Sequence, residues 1–321
     1  MVELVRLVEL IAVGVIFFFG VICNCVVIRS ISLARSMRGA VPYNIKNECV
    51  NLLVMNLAIT DLLILLVSIP MDIVPEHISW PYGTFVCKFI SPIQDIGLTA
   101  STMTFSAIAV ERYLVSKGVV HQGARNAKLI IAGIWLVSWL TMGLPMAIYK
   151  QLIMDETRVE CDVIWPNKYV ADFFLFYMIA LVGACAITGA LAYCGIRRSL
   201  AKVRQIYNKE RSRENVDQVS DDALAEQVLK ISNLICVLIS VFVICVFPFP
   251  LFVVLIETDV LANFRYNYVI YLATSCLLYG NCLANPLILM FMSRDARTAL
   301  IEKRSSTRRI EATEHIRLED A

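Results

Sequence analysis

The chain has 321 residues, and its composition is typical of a membrane protein. Apolar residues make up 58% of it and charged residues only 17%, whereas soluble domains carry about 25% charge. The mean hydropathy is +0.69. The 29 Lys and Arg against 27 Asp and Glu leave a net charge of +2, which argues against nucleic acid as a partner.

Long apolar stretches recur along the whole chain. Five of them contain no charged residue and are at least as long as the roughly 18 residues that mark a membrane-spanning helix. They are residues 10–28, 129–149, 173–196, 231–256 and 266–292. Two more apolar stretches each carry one aspartate, Asp61 in the first and Asp95 in the second. The sequence therefore predicts an all-α membrane protein, a bundle of seven transmembrane helices.

The expected organisation is a single seven-helix domain over residues 1–321. The first apolar run lacks a basic leader and is too long for a signal-peptide core, so we expect it to stay as the first helix. The predicted helices are about 8–33, 49–74, 84–117, 128–149, 169–198, 224–256 and 266–292. A short amphipathic helix at about 294–303 is expected to lie on the inner leaflet. A tail at 304–321 follows it.

The basic residues in the loops predict the orientation of the bundle. Lys and Arg collect on the cytoplasmic side of membrane proteins. The odd-numbered loops and the tail contain 20 of them, whereas the N-terminal segment and the even-numbered loops contain 5. This asymmetry predicts that the N-terminus is outside and the C-terminus inside.

Most of the eleven cysteines fall within the predicted helices or at their inner ends. There a free cysteine acts as a small apolar residue. Only Cys87 and Cys161 are expected to face the oxidising side, so a disulfide bond between them is predicted. A Cys/His metal site has no support, because the chain has no CxxC pair and its three histidines are scattered.

Polar residues within the predicted helices are candidates for function. Asp61 lies in the middle of the second helix, and Asn24, Ser101, Asn281 and Asn285 lie at similar depth in others. An ionisable group in lipid is costly unless it faces the bundle interior, where it marks a functional site by default. One interpretation is a hydrated polar cluster that can hold a small cation. The alternative is a hydrogen-bonded network that only packs helices together.

Several short motifs occur in a fixed order along the helices. They are Cys87 at the start of the third helix and Glu111-Arg112-Tyr113 at its end, Trp135 and Pro145, Cys245-Val246-Phe247-Pro248, and Asn285-Pro286. In this order the chain resembles the rhodopsin-like, class A G-protein-coupled receptors over nearly its whole length. Residues 108–113, 143–146 and 161–167 are further similar to neuropeptide receptors of the RFamide, or neuropeptide FF, type.

The resemblance implies a multi-pass plasma-membrane receptor and not an enzyme. Its implied partners are an extracellular ligand, heterotrimeric G protein, arrestin and membrane lipid. It also implies an allosteric sodium ion held by Asp61, Ser101, Asn281 and Asn285, with no other cofactor expected. An occupied sodium pocket would favour the inactive state.

The resemblance assigns a cytoplasmic switch to Glu111, Arg112, Tyr113 and Tyr193. In the resting state the Glu111 carboxylate would hold the Arg112 guanidinium, and release would let Arg112 meet the G protein. A buried charge pair is stable only while both partners are satisfied. The alternative is a static cap on the third helix.

The chain departs from the family pattern at four positions. Val246 stands where a tryptophan is usual, Leu289 where a tyrosine ends the seventh-helix motif, Cys185 where the fifth helix has a proline, and Val228 where an acid faces Arg112. A water-bridged pair between Tyr193 and a seventh-helix tyrosine is therefore not expected. Signalling is expected to be atypical, weak or constitutive.

Acidic residues near the outer mouth predict a cationic ligand, because they would attract it electrostatically. Asp72, Asp95 and Glu257 are the expected contacts, and Gln94 stands where peptide receptors often carry Gln. A neuropeptide, cationic or amidated, is therefore predicted. The alternatives are an amine or other small-molecule receptor that uses Asp95, and a signalling-impaired receptor-like scaffold.

Three other classes are disfavoured. Residues 266–292 contain no lysine for a retinal Schiff base. A transporter usually has internal repeats, and none is evident. A membrane enzyme would need a nucleophile or a metal cluster, and neither is recognisable.

Overall fold

A computed structural model describes residues 2–36, 48–117, 124–154, 158–211, 219–258, 260, 264 and 266–292. The predicted amphipathic helix at 294–303 and the tail at 304–321 lie outside these ranges. The side chain of Val228 also lies outside what is described.

Seven helices cross the described part of the molecule. They are α1 (Val2–Ser36), α2 (Glu48–Leu63, Ile64–Ser68 and Ile69–His77), α3 (Gly83–Phe85, Val86–Ile90 and Ile93–Ser116), α4 (Ala124–Ser138, Trp139–Gly143 and Leu144–Tyr149), α5 (Lys168–Arg211), α6 (Val219–Val246 and Pro248–Glu257) and α7 (Asn267–Met292). The middle segments of α2, α3 and α4 are π-helical turns. The predicted seven-helix fold is confirmed.

Each π-helical turn ends two residues before a proline, at Pro70, Pro92 and Pro145. A proline has no N–H to donate, and its ring clashes with the carbonyl four residues earlier. A π turn widens the helix at that point and is one way to absorb the clash. In α6 the same chemistry gives a different result, because the helix breaks at Phe247, directly before Pro248.

A two-stranded hairpin lies between α4 and α5, and the sequence does not predict it. Strand β1 (Lys150–Met154) pairs antiparallel with β2 (Val159–Val163), and Leu152 lies opposite Cys161. The segment before α3 joins the edge of β2, because the Trp80 N–H donates to the Val159 carbonyl at 2.7 Å. We call this end of the bundle the hairpin end.

Six of the seven helices are long and apolar enough to cross a membrane on their own, within the ranges described. Helix α3 is not among them. It buries Thr99, Ser101, Thr102 and Thr104 against other helices, so fewer of its side chains need to be lipophilic.

The apolar core joins α3 to α6 in the middle of the bundle. The rings of Phe105 and Phe242 lie 4.7 Å apart between centroids, and both side chains are fully buried. Such aromatic pairs contribute about 0.5–1.5 kcal/mol beyond their area burial. The core therefore holds α6 against α3 about one helical turn before the break at Phe247.

Candidate functional site

A buried polar cluster lies between α1, α2, α3 and α7. The Asn285 amide donates to one Asp61 carboxylate oxygen at 3.3 Å. Ser101 shares a hydrogen bond of 2.8 Å with Thr60, and the Asn24 amide donates to the Cys282 carbonyl at 2.8 Å. The structure therefore joins Asn285 directly to Asp61, and Ser101 to Thr60, the residue before Asp61.

Three oxygen atoms in this cluster are buried and have no hydrogen-bond partner among the described residues. They are Oδ1 of Asp61, Asn281 and Asn285. Carboxylate and amide oxygens are the ligands that hard cations prefer, and an unsatisfied buried acceptor costs about 1–3 kcal/mol. The residues present therefore fit a small cation such as sodium.

Cys282 contributes to the same cluster. Its side chain hydrogen-bonds to Asp61, and it is only 1% exposed. It is a free, buried cysteine packed in an apolar cluster, as expected of the helix cysteines, and its S–H group is in addition a weak donor.

At the end of the bundle opposite the hairpin, Arg112 forms an ion pair with the preceding residue, Glu111. The Arg112 Nε donates to a Glu111 carboxylate oxygen at 2.5 Å, with both side chains largely buried. The Lys117 ammonium lies 5.5 Å above the Tyr113 ring. The same ring packs so closely on α5 that a Cβ at Gly195 would lie 2.5 Å from it.

Four positions depart from the family pattern, and the side chains of three of them are described. Each of these three packs against its neighbours. Val246 is fully buried in the core, and Leu289 is half-buried against it. Cys185 is buried and hydrogen-bonds to Ser106. Tyr193 donates its hydroxyl to Asn233 of α6 at 3.2 Å, which gives it a partner within the α5–α6 pair.

The acids at the hairpin end have different surroundings. Asp72 accepts a hydrogen bond from the hydroxyl of Tyr279, so it links α2 to α7. Glu257 is exposed at the end of α6, whereas Gln94 and Asp95 are half-buried near the start of α3. Asp95 interacts favourably with the Lys150 ammonium.

Glu9 was not predicted as a site residue. It lies on α1 and is only 6% exposed, close enough to Cys276 of α7 to interact electrostatically. Its signal in the sequence is weak, because a single acid at the edge of an apolar run is indistinguishable from a solvated helix end.

The predicted disulfide bond between Cys87 and Cys161 is confirmed, with the two Cα atoms 5.7 Å apart. It ties β2 to the start of α3. The hairpin is thereby held over the end of the bundle where the predicted ligand residues lie.

Comparison with known proteins gives consistent matches. The family model described as "7 transmembrane receptor (rhodopsin family)" matches residues 23–289. Galanin receptor type 1 of Rattus norvegicus is 29% identical over 308 residues, which cover 91% of this chain and 80% of the relative. The neuropeptide F receptor of Drosophila melanogaster is 29% identical over 256 residues, covering 72% and 48%. The tachykinin-like peptides receptor 86C of the same species is 24% identical over 302 residues, covering 88% and 56%.

Proposed function

Because the chain belongs to the rhodopsin family of seven-transmembrane receptors, we propose that its ligand is an extracellular, cationic or amidated neuropeptide. The protein is a multi-pass G-protein-coupled receptor of the plasma membrane and not an enzyme. Relatives named for neuropeptide F and for tachykinin-like peptides support a peptide ligand. The finer resemblance to RFamide receptors stays a prediction.

The observation that carries this proposal is the pair of acids at the hairpin end. Asp72 is half-buried on α2 and Glu257 is exposed on α6, so a cation could approach from two sides of the same mouth. Acids that line a cleft raise the local concentration of cationic ligands. Within the proposal, the hairpin end faces outside, as the basic residues of the loops predict.

Asp72 also offers a route for the signal. Its partner Tyr279 lies on α7, six residues before Asn285, and Asn285 is bonded to Asp61 of α2. A ligand cation on Asp72 would compete for the bond to Tyr279 and so loosen α2 from α7 at the hairpin end. The proposed consequence is a rearrangement at Asp61 and Asn285, the second contact between these two helices.

Two further parts of the proposal concern the inside of the bundle. Asp61, Ser101, Asn281 and Asn285 would hold sodium, whose charge would stabilise the resting arrangement. Release of Arg112 from Glu111 would expose a guanidinium to the G protein. Arrestin and membrane lipid are proposed as additional partners at the same face.

The direct test is activation of G protein in cells by a panel of peptides that includes amidated peptides, galanin, neuropeptide F and tachykinin-like peptides. The active peptide and its analogue with citrulline in place of arginine are then compared on Asp72→Asn and Glu257→Gln. A charge-assisted hydrogen bond contributes about 1.5–3 kcal/mol, so losing the true partner weakens potency roughly 10- to 150-fold. The effects of the two changes are then non-additive.

The matched control is Asp162→Asn, an exposed acid on the outward face of β2, which should change potency little. Activation by a small amine with dependence on Asp95 alone would replace the peptide proposal with the amine alternative. Absence of any activation, together with normal surface expression, would favour the receptor-like scaffold.

A further inference from the structure

Lys150 is the first residue of β1, and its ammonium group is turned back onto α3. The Nζ donates to the Ser91 hydroxyl at 2.8 Å. That hydroxyl in turn donates to the Cys87 carbonyl at 2.7 Å. The cation is therefore fixed beside the disulfide bond at a defined point of α3.

Asp95 lies four residues after Ser91. Residues at this spacing share one face of a helix, with Cβ atoms about 5–6 Å apart. Ser91, which binds Lys150, lies in the turn between two helical segments of α3, and its backbone angles there are helical (φ −61°, ψ −29°), so the Asp95 carboxylate follows about one turn further along. The two charges attract each other, and Asp95 is half-buried, so water screens this attraction less than at a free surface.

The hairpin cannot easily carry Lys150 away from this place. Leu152, two residues along β1, pairs with Cys161 of β2, which is covalently bound to Cys87 of α3. The disulfide bond thus holds β1 close to α3 and gives Lys150 a high effective concentration at Asp95. An external cation would have to displace an intramolecular one, which is unfavourable by mass action.

We propose that Lys150 is a tethered counter-ion that closes Asp95 to amine ligands, which makes it a specificity-determining residue. The cation of an external ligand is then directed to the remaining acids of the mouth. This inference goes beyond the proposed function and does not depend on which peptide is the agonist.

The test is chemical rescue in purified full-length receptor, read as the thermal unfolding midpoint. Lys150→Ala removes three methylene groups and the ammonium, which n-propylammonium chloride can replace. We expect this salt to raise the midpoint of Lys150→Ala saturably and to leave the wild type unchanged at equal ionic strength. Adding Asp95→Asn should weaken the rescue at least about 10-fold in apparent affinity, the equivalent of 1.4 kcal/mol.

Two controls separate this effect from general solvent effects. 1-Propanol has the same shape without the charge and should not rescue Lys150→Ala. Lys168→Ala removes a different lysine at the hairpin end, an exposed one at the start of α5, and n-propylammonium should not raise its midpoint.

If Lys150→Ala does not fold, the charge-exchanged double variant Lys150→Asp/Asp95→Lys answers the same question. We expect it to be more stable than either single change, since only the double variant restores opposite charges. Equal rescue of Lys150→Ala with and without Asp95→Asn would overturn the proposal. So would amine binding to the wild type through Asp95, or a double exchange no better than the singles.

Discussion

Asp61, Asn281 and Asn285 each have a buried side-chain oxygen without a hydrogen-bond partner among the described residues. Each would cost about 1–3 kcal/mol if left unsatisfied, and the Asn285 amide and the Cys282 thiol each donate only once or weakly to the carboxylate. A small cation bound at Asp61 would satisfy its free carboxylate oxygen and neutralise the carboxylate. Sodium binding and folding stability are therefore expected to be linked.

We predict that sodium stabilises the receptor through Asp61. A ligand at five times its Kd stabilises the folded state by about 1 kcal/mol. Replacing choline chloride by sodium chloride at constant ionic strength should therefore raise the unfolding midpoint of the wild type and leave that of Asp61→Asn unchanged. Asp162→Asn, an exposed acid of the hairpin, should respond like the wild type. An equal sodium response in Asp61→Asn would contradict sodium binding at Asp61, and the polar cluster would then serve only to pack the helices together.

The hydropathy pattern of the sequence predicts some properties of a site residue and not others. Hydropathy locates a polar residue at a depth in the membrane, so Asp61, Ser101 and Asn285 could be grouped before any contact was known. Depth does not encode rotation about the helix axis or the partner on another helix. The bond from Tyr279 to Asp72 and the position of Lys150 over α3 therefore could not be predicted.

At the scale of elements, the prolines show the same limit. Pro70, Pro92, Pro145 and Pro248 are all visible in the sequence, but their presence does not tell how each helix is distorted. A proline can cause a π turn or a break in its helix. Which of the two forms depends on how neighbouring helices hold the helical segments before and after the proline. That information is tertiary, so hydrophobic periodicity does not contain it.

Two glycines of α5 provide a matched pair for testing helix packing. A Cβ at Gly195 would meet the Tyr113 ring at 2.5 Å, whereas nothing lies within 4 Å of one at Gly183. Gly195→Ala should therefore displace Tyr113 at a cost of about 1–3 kcal/mol. Gly183→Ala should be neutral or stabilising by up to about 1 kcal/mol, because alanine is the better helix former.

The measurement is the unfolding midpoint of both variants together with agonist-independent G-protein activation. Only Gly195→Ala should alter the activation, because Tyr113 adjoins Arg112. Equal effects of the two changes would show that the close contact between α5 and Tyr113 contributes neither to stability nor to basal activation.

The contact between α5 and α6 has its own prediction. The hydrogen bond from Tyr193 to Asn233 links these helices at the end where Arg112 lies, and such a bond contributes about 0.5–1.5 kcal/mol. Tyr193→Phe removes only the hydroxyl, so we expect agonist-independent guanine-nucleotide exchange to rise roughly 2- to 13-fold. Asn233→Ala should do the same, and the double variant should add little.

Ser240→Ala is the control for this pair, because it removes a hydroxyl of α6 that bonds only within its own helix, to the Cys236 carbonyl. It should leave basal exchange unchanged. A fall in basal exchange in Tyr193→Phe would mean that the hydroxyl serves the active state instead.

At the scale of the whole molecule, the hairpin and the start of α3 are joined into one unit at the hairpin end. The disulfide bond joins residues 74 positions apart, and the hairpin edge is also bonded to Ser79 and Trp80. Helix α3 packs against α2, α4, α5 and α6, and Arg112 lies in its last two turns, which end at Ser116. The disulfide bond therefore ties the hairpin covalently to the helix that carries Arg112 near its other end.

The last prediction concerns this link. Closing a flexible loop of about 75 residues stabilises a chain by about 4 kcal/mol, and the value here should be smaller because membrane helices restrict the open chain too. Cys87→Ser and Cys161→Ser should each lower the unfolding midpoint and abolish peptide-dependent activation, and the double variant should be no worse than either. Cys276→Ser, a free cysteine of α7, should change little. A double variant clearly worse than both singles would mean that the two thiols act separately and that the hairpin is held by its hydrogen bonds alone.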